Sequence, residues 1–533
     1  MAVLLHTLFA VLTALTLALG FWWSPVCWLL LPLLGLWAVG IYDTFQGQHA
    51  ILRNFPLLGR FRYLFEKIRP EIQQYFIEGN TDGAPINREF RSVVYQRAKG
   101  ELQTLPFGTQ LDVYEPGYEW IAHSLLAKAS HGEETRLRIG GERTTQPYES
   151  SILGVSAMSF GALSAEAVQA LNQGAAIAGF CHNTGEGGIS PHHLKAGGDL
   201  CWQIGTGYFG ARDQAGNFDS GLFRDNAQRP SVKLIELKLS QGAKPGHGGI
   251  LPAAKITDEI AAIRNVGKEH DVLSPPGHSA FSGPVELLEF IDQMRELSGG
   301  KPVGFKLCVG LPTDVIAIVK AMHETGLAPD FIVVDGGEGG TGAAPLEFSN
   351  RVGAPLFDSL VFVHNVLRGF DVRNSVKLVA SGKVVTGFDI AARLAAGADM
   401  VSAARSFMLA LGCIQARLCH SNHCPTGVAT QLPHLTRGLV VSDKAERVAR
   451  YHRETVEAFY ELLGAAGLSH PDDLRPWHIH RRISQTEVKN YAQIYPYIET
   501  GQLIESPPPK GWGELMAASD SKSFTPLGRE RRW

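Results

Sequence analysis

The sequence predicts an α/β protein built on a (β/α)8 barrel of the TIM type, preceded by a transmembrane helical hairpin. Three observations lead to this fold class. Segments with the patterns of a strand and of a helix alternate about eight times between residues 150 and 417. Glycine-rich loops follow most of these strands, and residues 1–42 contain no Asp, Glu, Lys or Arg. Repeated β/α units form a parallel sheet, and eight of them close into a barrel.

A doubly wound open sheet is the alternative, because it is also built from repeated β/α units. Its dinucleotide-binding form carries a GxGxxG fingerprint after the first strand. No such fingerprint follows the first predicted strand of this chain. The sequence therefore favours the barrel.

The N-terminal residues 1–43 are predicted to form the hairpin. A helix needs about 20 apolar residues to cross a bilayer, so the uncharged run fits two short spans. The segment Gly20–Pro25 would make the turn, with Trp22 and Trp23 at the level of the lipid headgroups. A signal peptide is the competing interpretation, but the run lacks a positive n-region and is too long for one h-region.

Basic residues follow the second span and predict the orientation of the hairpin. Basic flanks stay in the cytoplasm, so we expect a two-pass protein of the cell membrane with its catalytic domain in the cytoplasm. Residues 44–110 are interpreted as a linker with amphipathic helices. Its positive flank could contact anionic lipid or simply be solvated. The basic residues are Arg53, Arg60, Arg62, Lys67 and Arg69.

The β/α units can be placed along the chain. Ser164 is a candidate N-cap for the first helix, which has apolar positions at Ala167, Leu171 and Ala175. The predicted strands are 152–159, 180–183, 202–205, 234–239, 303–308, 331–334, 376–380 and 400–404, and the predicted helices are 164–179, 285–297, 313–325, 387–396 and 407–417.

Composition bounds the function. A net charge of −3 with 19% charged residues shows no basic excess, so nucleic acid is not an expected partner. Many of the 58 glycines lie in loops after the predicted strands, where they allow either tight turns or close approach to a ligand. In a TIM barrel the chemistry sits at this end. Gly382, Ala404 and Arg405, in the seventh and eighth loops, could hold a phosphate.

A short loop carries Cys413, Cys419 and Cys424 in the pattern C-x5-C-x4-C. Three thiolates can bind a soft metal centre. Zinc is an alternative if His420 or His423 supplies a fourth ligand. A disulfide is less favoured, because three cysteines are an odd number and the chain is interpreted as intracellular.

Five segments stand out by their order and spacing: AMSFGALS (157–164), NTGEGG (183–188), QGAKPGHGG (241–249), GGTGA (339–343) and GC-x5-CHSNHCPTGVATQ (412–431). Over about residues 90–480 they resemble the FMN-binding domain of glutamate synthase. The resemblance implies a flavin-binding barrel that holds FMN and a [3Fe-4S] cluster on Cys413, Cys419 and Cys424. The family pattern extends into the helix 445–463, so the barrel domain is expected over 111–480 and a C-terminal extension over 481–533.

The resemblance also implies a reaction, in which reduced FMN transfers a hydride to the imine of 2-oxoglutarate and ammonia to give L-glutamate. Lys244 and Arg264 match the family's substrate-binding cations. Glu186 matches a family carboxylate near the flavin that could orient or deprotonate ammonia. Glu186 and Lys244 are the expected catalytic residues, and Met158 and Ser159 are expected to contact substrate and cofactor. Each also has an ordinary structural alternative as a loop or helix-surface residue.

The resemblance places FMN in the loops at the strand ends. Lys306 is expected near the N1–C2 edge of the flavin, although it could instead pair with a carboxylate of the barrel. The expected FMN contacts are Met158, Ser159, Asn183, Gln203, Lys306, Gly336, Gly337, Gly340, Thr341, Gly342, Ser381, Gly382, Lys383, Ala404 and Arg405.

The chain departs from the family pattern in several ways. No glutaminase domain is expected before the barrel, so ammonia or an amine would come from outside. Ile250 stands where the family has Gln, and His247 where it usually has Glu, so the substrate could be another amino or N-substituted amino acid. No pyridine-nucleotide domain is evident, which implies an external electron donor such as ferredoxin or a partner flavoprotein. A non-catalytic flavin and iron–sulfur redox carrier is the remaining alternative.

Overall fold

Eight parallel strands close into a barrel in the computed structural model, which describes residues 1–101, 103–129 and 134–526. Every strand pairs with its neighbours in chain order, and the eighth pairs with the first. This is the connectivity of a TIM barrel, so the predicted fold class is confirmed. The strands are β1 Leu153–Val155, β2 His182–Asn183, β3 Leu200–Ile204, β4 Val232–Lys238, β5 Val303–Leu307, β6 Phe331–Asp335, β7 Lys377–Ser381 and β8 Met400–Ala403.

Helices connect the strands and cover the barrel. The predicted N-cap is present, since the Ser164 hydroxyl accepts a hydrogen bond from the Ala167 amide. Gly179 ends that helix with a φ of 70°. The helices between β1 and the cysteine loop are Ala165–Ala178, Pro191–Leu194, Ser220–Ala227, Asp258–Arg264, Pro284–Leu297, Pro312–Thr325, Leu346–Arg351, Leu356–Gly369, Gly387–Ala395 and Arg405–Leu411, with 3-10 turns at Ala253–Lys255 and Arg373–Ser375.

Two predicted elements end in the wrong place. The strand predicted over 152–159 covers only Leu153–Val155, and residues 156–159 already belong to the loop after β1. The helix predicted over 407–417 is Arg405–Leu411 and ends at Gly412, where φ is 108°. Cys413, which the predicted helix would have included, therefore lies after the helix with the other two cysteines.

A long helix packs on the outside of the barrel. It spans Val441–Ala465, and Gly174 on Ala165–Ala178 allows the two helices to approach closely. A Cβ at Gly174 would lie 2.5 Å from Val448 Cγ1. Smaller elements surround the barrel. The strands form the sheet Glu119–Ile121, Ile479–Arg482 and Val488–Asn490 and the pairs Leu137–Ile139 with Tyr148–Ser150 and Ile250–Leu251 with Val272–Leu273. The helices are Pro433–Thr436, Tyr491–Ile494 and Gly513–Ala518, with 3-10 turns at Pro471–Asp473 and Pro476–His478.

The chain divides into two units, Met1–Arg88 and Glu89–Trp533. The first unit begins with two apolar helical segments, Ala2–Gly20 and Ser24–Phe45, each long enough to cross a membrane by length and composition. They pair through a hydrogen bond of 3.0 Å between His6 and Thr44 and a stacked pair of Phe9 and Trp37. The pairing is consistent with the predicted hairpin. The second segment starts as the 3-10 turn Ser24–Leu29, and the hairpin is followed by Ala50–Asn54, Leu58–Ile72, the π-helical turn Gln73–Ile77 and Arg88–Lys99.

Candidate active site at the carboxyl end of the barrel

Glu186 lies in the loop after β2 and is surrounded by cations. Its Oε1 accepts a hydrogen bond of 2.8 Å from the Lys238 ammonium at the end of β4. Burial would raise the pKa of Glu186, but the charges of Lys238, Lys244 and Arg264 hold it below its ordinary value. Its Oε2 is buried and has no hydrogen-bond partner in the described part of the chain. The site therefore contains an ionised carboxylate with one oxygen left for a ligand.

Two glycines leave space for that carboxylate. A Cβ at Gly249 would lie 2.5 Å from Glu186 Oε1, and one at Gly205 would lie 2.7 Å from Oε2. Real Cβ atoms do not approach oxygen so closely, so any larger residue would displace the side chain. The glycines of the loops after β3 and β4 are required here by packing against Glu186.

Lys244, in the loop after β4, is only 2% exposed. Its Nζ donates a hydrogen bond of 2.7 Å to the carbonyl of Ala343, in the loop after β6. Burial lowers the pKa of Lys244 to about 8, with Glu186 opposing the shift and Lys238 adding to it. An ammonium with a single hydrogen bond retains two donors for an anionic ligand.

Arg264 ends the helix Asp258–Arg264 and is 4% exposed. Its Nη2 donates to the carbonyl of Phe160 at 2.9 Å and to Ser159 Oγ at 3.3 Å. The guanidinium lies 5.2 Å from the centre of the Phe209 ring. Burial lowers its pKa to about 10, against the attraction of Glu186, so the side chain stays charged at neutral pH. Gly187 leaves the space for Nη2, since a Cβ there would lie 2.7 Å from it.

The loop after β1 contacts the loop after β2. A Cβ at Gly185 would lie 2.5 Å from the amide nitrogen of Ser159, so the glycine permits the contact. Met158 is buried, and Ser159 accepts the hydrogen bond from Arg264. The structure thus brings the predicted residues Met158, Ser159, Glu186 and Arg264 to one end of the barrel.

Polar side chains fill the barrel interior below this group. Glu236 on β4 accepts hydrogen bonds from Gln203 Nε2 at 2.5 Å and from Asn183 Nδ2 at 3.1 Å. The register aligns Gln203 with Glu236 across β3 and β4. Asn183 and Gln203 are predicted site residues, whereas Glu236 is not.

Lys306, at the end of β5, is buried but has room for a further partner. The closest acidic atom is Asp335 Oδ2 at 3.8 Å, beyond hydrogen-bonding distance. That oxygen accepts a hydrogen bond of 2.9 Å from the Gly242 amide instead. Any Cβ at Gly242 would overlap the carbonyl oxygen of Gly336. A buried cation with unused donors fits an electron-rich ring edge or another anionic group.

The loops after β6, β7 and β8 meet at Arg405. Arg405 Nη2 donates to the carbonyl of Glu338 at 2.9 Å, and a Cβ at Gly340 would lie 2.9 Å from its Cδ. Burial lowers the pKa of Arg405, with Asp335 and Glu338 opposing the shift. The hydroxyls of Ser381 and Ser156 lie 3.4 Å apart at the ends of β7 and β1. This region offers a guanidinium, hydroxyls and glycine backbone for a phosphate.

The other predicted FMN contacts differ in how closely they are packed. The Gly336 amide donates to the Ser381 carbonyl and that of Gly337 to the Ala354 carbonyl, each within 2.9 Å. The Lys383 side chain is exposed. Thr341 and Gly342 are also exposed, Gly382 is buried, and Ala404 is the N-cap of the helix Arg405–Leu411.

The three predicted metal ligands lie in the loop after the helix Arg405–Leu411. Burial raises the pKa of the Cys413 thiol to about 12, and the other two cysteines add to the shift. Burial also raises the pKa of Cys419, with Cys424 adding to the shift and Lys255 opposing it. All three thiols are free, and the described residues contain no group of three His, Cys, Asp or Glu that could hold a metal ion.

The cysteine loop is held in an unusual backbone conformation. Gln415, Arg417 and Asn422 all have positive φ values between 57° and 64°, which is uncommon for residues other than glycine. Lys255 Nζ donates to the carbonyls of Ala162, Cys419 and Ala429 at 2.7, 3.2 and 3.1 Å. This buried cation connects the cysteine loop to the loop after β1.

Sequence reasoning missed three charged residues of this region: Lys238, Glu236 and Lys255. The signal was present for two of them. Glu236 and Lys238 occupy alternate positions of β4, whose other charged residue is Lys233, and alternate positions of a barrel strand face the interior. For Lys255 no local pattern distinguishes a buried lysine from an exposed one.

Comparison with known proteins identifies the family. The model of the conserved region in glutamate synthase matches residues 131–469. Glutamate synthase large subunit-like protein YerD of Bacillus subtilis is 37% identical over 494 residues, which cover 85% of this chain and 94% of YerD. The NADPH archaeal glutamate synthase of Methanocaldococcus jannaschii is 33% identical over 322 residues, 60% of each chain.

Solved structures resemble the chain more loosely. A mandelate oxidase mutant with an FMN adduct has a TM-score of 0.41 and 15% identity, over 81% of this chain and 99% of that one. A likeness at this level carries no functional argument. A closed barrel with charged side chains gathered at the carboxyl ends of its strands is the arrangement of a TIM-barrel enzyme. The family match and the similarity to YerD show that the chain belongs to the glutamate synthase family.

Proposed function

We propose that this chain is an FMN-dependent, iron–sulfur oxidoreductase that reduces the imine of 2-oxoglutarate and ammonia to L-glutamate. The observation that carries the proposal is the arrangement of three buried cations, Lys238, Lys244 and Arg264, around the ionised Glu186. Two of the cations suit the two carboxylates of a dicarboxylic substrate. Family membership supports the reaction class.

The residues present fit FMN. Lys306 has unused donors beside the barrel axis, and Arg405 with the loops after β6, β7 and β8 offers a phosphate site. Asn183 and Gln203 add two carboxamide groups, both of which donate to Glu236 inside the barrel. When bound, FMN would supply hydride chemistry that no protein side chain provides.

The side chains have distinct proposed roles. Arg264 and Lys244 bind the substrate carboxylates, and Arg264 is fixed in place by Ser159 and Phe160. Glu186 presents its unpaired Oε2 to ammonia or ammonium and can take up a proton there. Lys238 orients Glu186 and keeps it ionised. The loop after β1 closes one side of this group.

The three cysteines are proposed to hold a [3Fe-4S] cluster. The three free thiols lie close together in the sequence, in the loop that follows the helix Arg405–Leu411, with Cys424 buried and Cys413 and Cys419 half-buried. Three thiolates from one loop are ligands that an iron–sulfur cluster accepts. Electrons would arrive from ferredoxin or a partner flavoprotein.

A second candidate is oxidation or formation of another amino or N-substituted amino acid. Ile250, which replaces the family glutamine, begins the strand Ile250–Leu251 and follows Gly249, the glycine that packs against Glu186. An apolar side chain here removes a polar contact that a 2-oxoglutarate site would use. Substrates with an apolar or N-alkyl group at that position are favoured by this exchange.

The protein is further proposed to be a two-pass membrane protein with its catalytic unit in the cytoplasm. Two apolar segments of 19 and 22 residues support the spans, and the basic residues that follow support the orientation. The helix Leu58–Ile72 exposes Phe61, Leu64 and Phe65 along one face, which suits contact with the bilayer surface.

The proposed reaction is tested by product analysis. The purified protein, reduced with ferredoxin and a reducing system, is incubated with 2-oxoglutarate and ¹⁵N-ammonium. Formation of ¹⁵N-glutamate supports the proposal, and the Arg264→Lys variant should raise KM for 2-oxoglutarate at least about tenfold. No glutamate, together with turnover of another 2-oxo acid or of an N-alkyl amine, would favour the second candidate.

A further inference from the structure

Glu236 is a buried carboxylate that the proposed reaction does not use. It is 3% exposed and lies on β4, level with Gln203 on β3 and with Gly304 on β5. Its Oε1 accepts hydrogen bonds from the amide groups of both Gln203 and Asn183.

These two hydrogen bonds fix the direction of both amides. Both amides donate to Glu236 Oε1, so each turns its NH2 group to the carboxyl group and its oxygen away. The Asn183 oxygen then accepts a hydrogen bond of 3.0 Å from the Gly185 amide. No hydrogen bond to Gln203 Oε1 is present within residues 134–526. Gln203 therefore presents a free acceptor.

A buried donor lies on β5, on the other side of β4 from Gln203. Lys306 on β5 pairs in register with Lys238 on β4, whereas Glu236 pairs with Gly304. Lys306 therefore lies two residues closer to the carboxyl end of the barrel than Glu236 does. Its Nζ has no hydrogen bond to Asp335, which is 3.8 Å away. The pyrimidine ring of a flavin carries an N3–H donor between two carbonyl acceptors. One acceptor and one cationic donor on the barrel complement that edge.

We infer that Glu236 is a positioning residue, which orients the Gln203 carboxamide so that its oxygen accepts the N3–H of the flavin. This inference rests on the proposed function, because it requires bound FMN. Without the carboxylate, the Gln203 carboxamide can rotate and present its NH2 group to the flavin. Two donors, the NH2 group and the flavin N3–H, would then face each other and form no hydrogen bond. The effect of Glu236 on FMN binding must then pass through Gln203.

A double-mutant cycle tests this route. Apoprotein of the wild type, E236Q, Q203A and the double variant is titrated with FMN, and binding is followed by quenching of flavin fluorescence. E236Q and Q203A should each weaken binding about tenfold, the effect of one lost hydrogen bond. The double variant should bind no more weakly than Q203A. An E236Q effect that persists in full beside Q203A overturns the inference, as does an E236Q variant with wild-type affinity.

Controls separate this result from loss of the fold. Glu166→Gln alters another carboxylate with a hydrogen-bond partner, Thr436, on an outer helix and should leave FMN affinity unchanged. Thermal melts of each apoprotein report stability. If E236Q does not fold, Glu236→Asp replaces it, because it keeps an acceptor facing the amides. E236D should retain the wild-type preference for FMN over 3-methyl-FMN, which lacks the N3 proton, and loss of that preference overturns the inference.

The test also distinguishes this inference from the proposed function. A folded wild-type protein that binds no FMN contradicts the proposed function itself. A wild type that binds FMN, with variants that bind equally well, contradicts only the role of Glu236.

Discussion

At the scale of the residue, the site consists of a carboxylate whose charge is maintained by its neighbours. Glu186, Lys244 and Arg264 were predicted from the sequence, and the structure brings all three together. Lys238 was not, although it lies in the strand predicted over 234–239. Which cation makes the direct hydrogen bond depends on the barrel register, and the register is not a local property of the sequence.

The space around Glu186 gives a first prediction. Gly249→Ala places a methyl group 2.5 Å from Glu186 Oε1, so the carboxylate must move. We expect the turnover rate to fall at least about tenfold, because a displacement of this size disturbs a catalytic group, while FMN affinity stays within about twofold. Steady-state kinetics and flavin titration measure both. Gly310→Ala is the matched control, since no atom lies within 4 Å of the added Cβ; equal losses in the two variants would refute the packing argument.

The lowered pKa of Lys244 gives a second prediction. Below pH 8 its side chain is the cation that binds a carboxylate, and above pH 8 it is increasingly neutral. The KM for the dicarboxylate should therefore rise as the pH increases through about 8, whereas kcat changes less. Lys244→Arg keeps its charge to higher pH, so the rise should move upward by at least one pH unit in kinetic pH profiles. An unchanged profile in this variant would assign the titration to another group.

At the scale of the element, the cysteine loop shows where local patterns fail. The apolar spacing of 407–417 predicted one helix, but Gly412 adopts a left-handed φ and ends it. The loop that follows is stabilised by contacts from distant segments, including Tyr95, whose hydroxyl donates to the Cys413 carbonyl at 2.7 Å. Such long-range contacts cannot be read from the spacing of the cysteines.

Lys255 provides a third prediction at this scale. Lys255→Met removes an ammonium that donates to three carbonyls and leaves those acceptors buried without it. We expect the free energy of unfolding to fall by about 2 kcal/mol, and iron bound per protein to fall by at least half. Denaturant unfolding and iron analysis measure these effects. Lys268→Met, at an exposed position, should change neither; iron content that is normal in K255M would show that the loop does not need this anchor.

At the scale of the whole molecule, the order of the barrel strands was predictable because each β/α unit is local and successive units lie side by side. The true lengths of the short strands β1 and β2 and the pairing of charges inside the barrel were not, because they depend on closure. The apolar N-terminal segments were also evident from composition alone.

The division of the chain gives a fourth prediction. A variant that lacks residues 1–88 retains the whole second unit, Glu89–Trp533. It should move from the membrane fraction to the soluble fraction on cell lysis, because both apolar segments are removed. It should also retain FMN at one per chain, measured by absorbance after purification. A truncated protein that still pellets with membranes would show that another part of the chain binds the bilayer.

The most direct test of the central claim follows the flavin spectrum of the purified protein during one reaction cycle. The oxidised protein should absorb as a flavoprotein with an additional iron–sulfur contribution and should lose its flavin band on anaerobic reduction. Mixing with 2-oxoglutarate and ammonium should restore the band, and E186Q should slow this return at least about tenfold because a general base contributes about 10² or more. A colourless folded protein, or a reduced flavin that no 2-oxo acid reoxidises, would contradict the account.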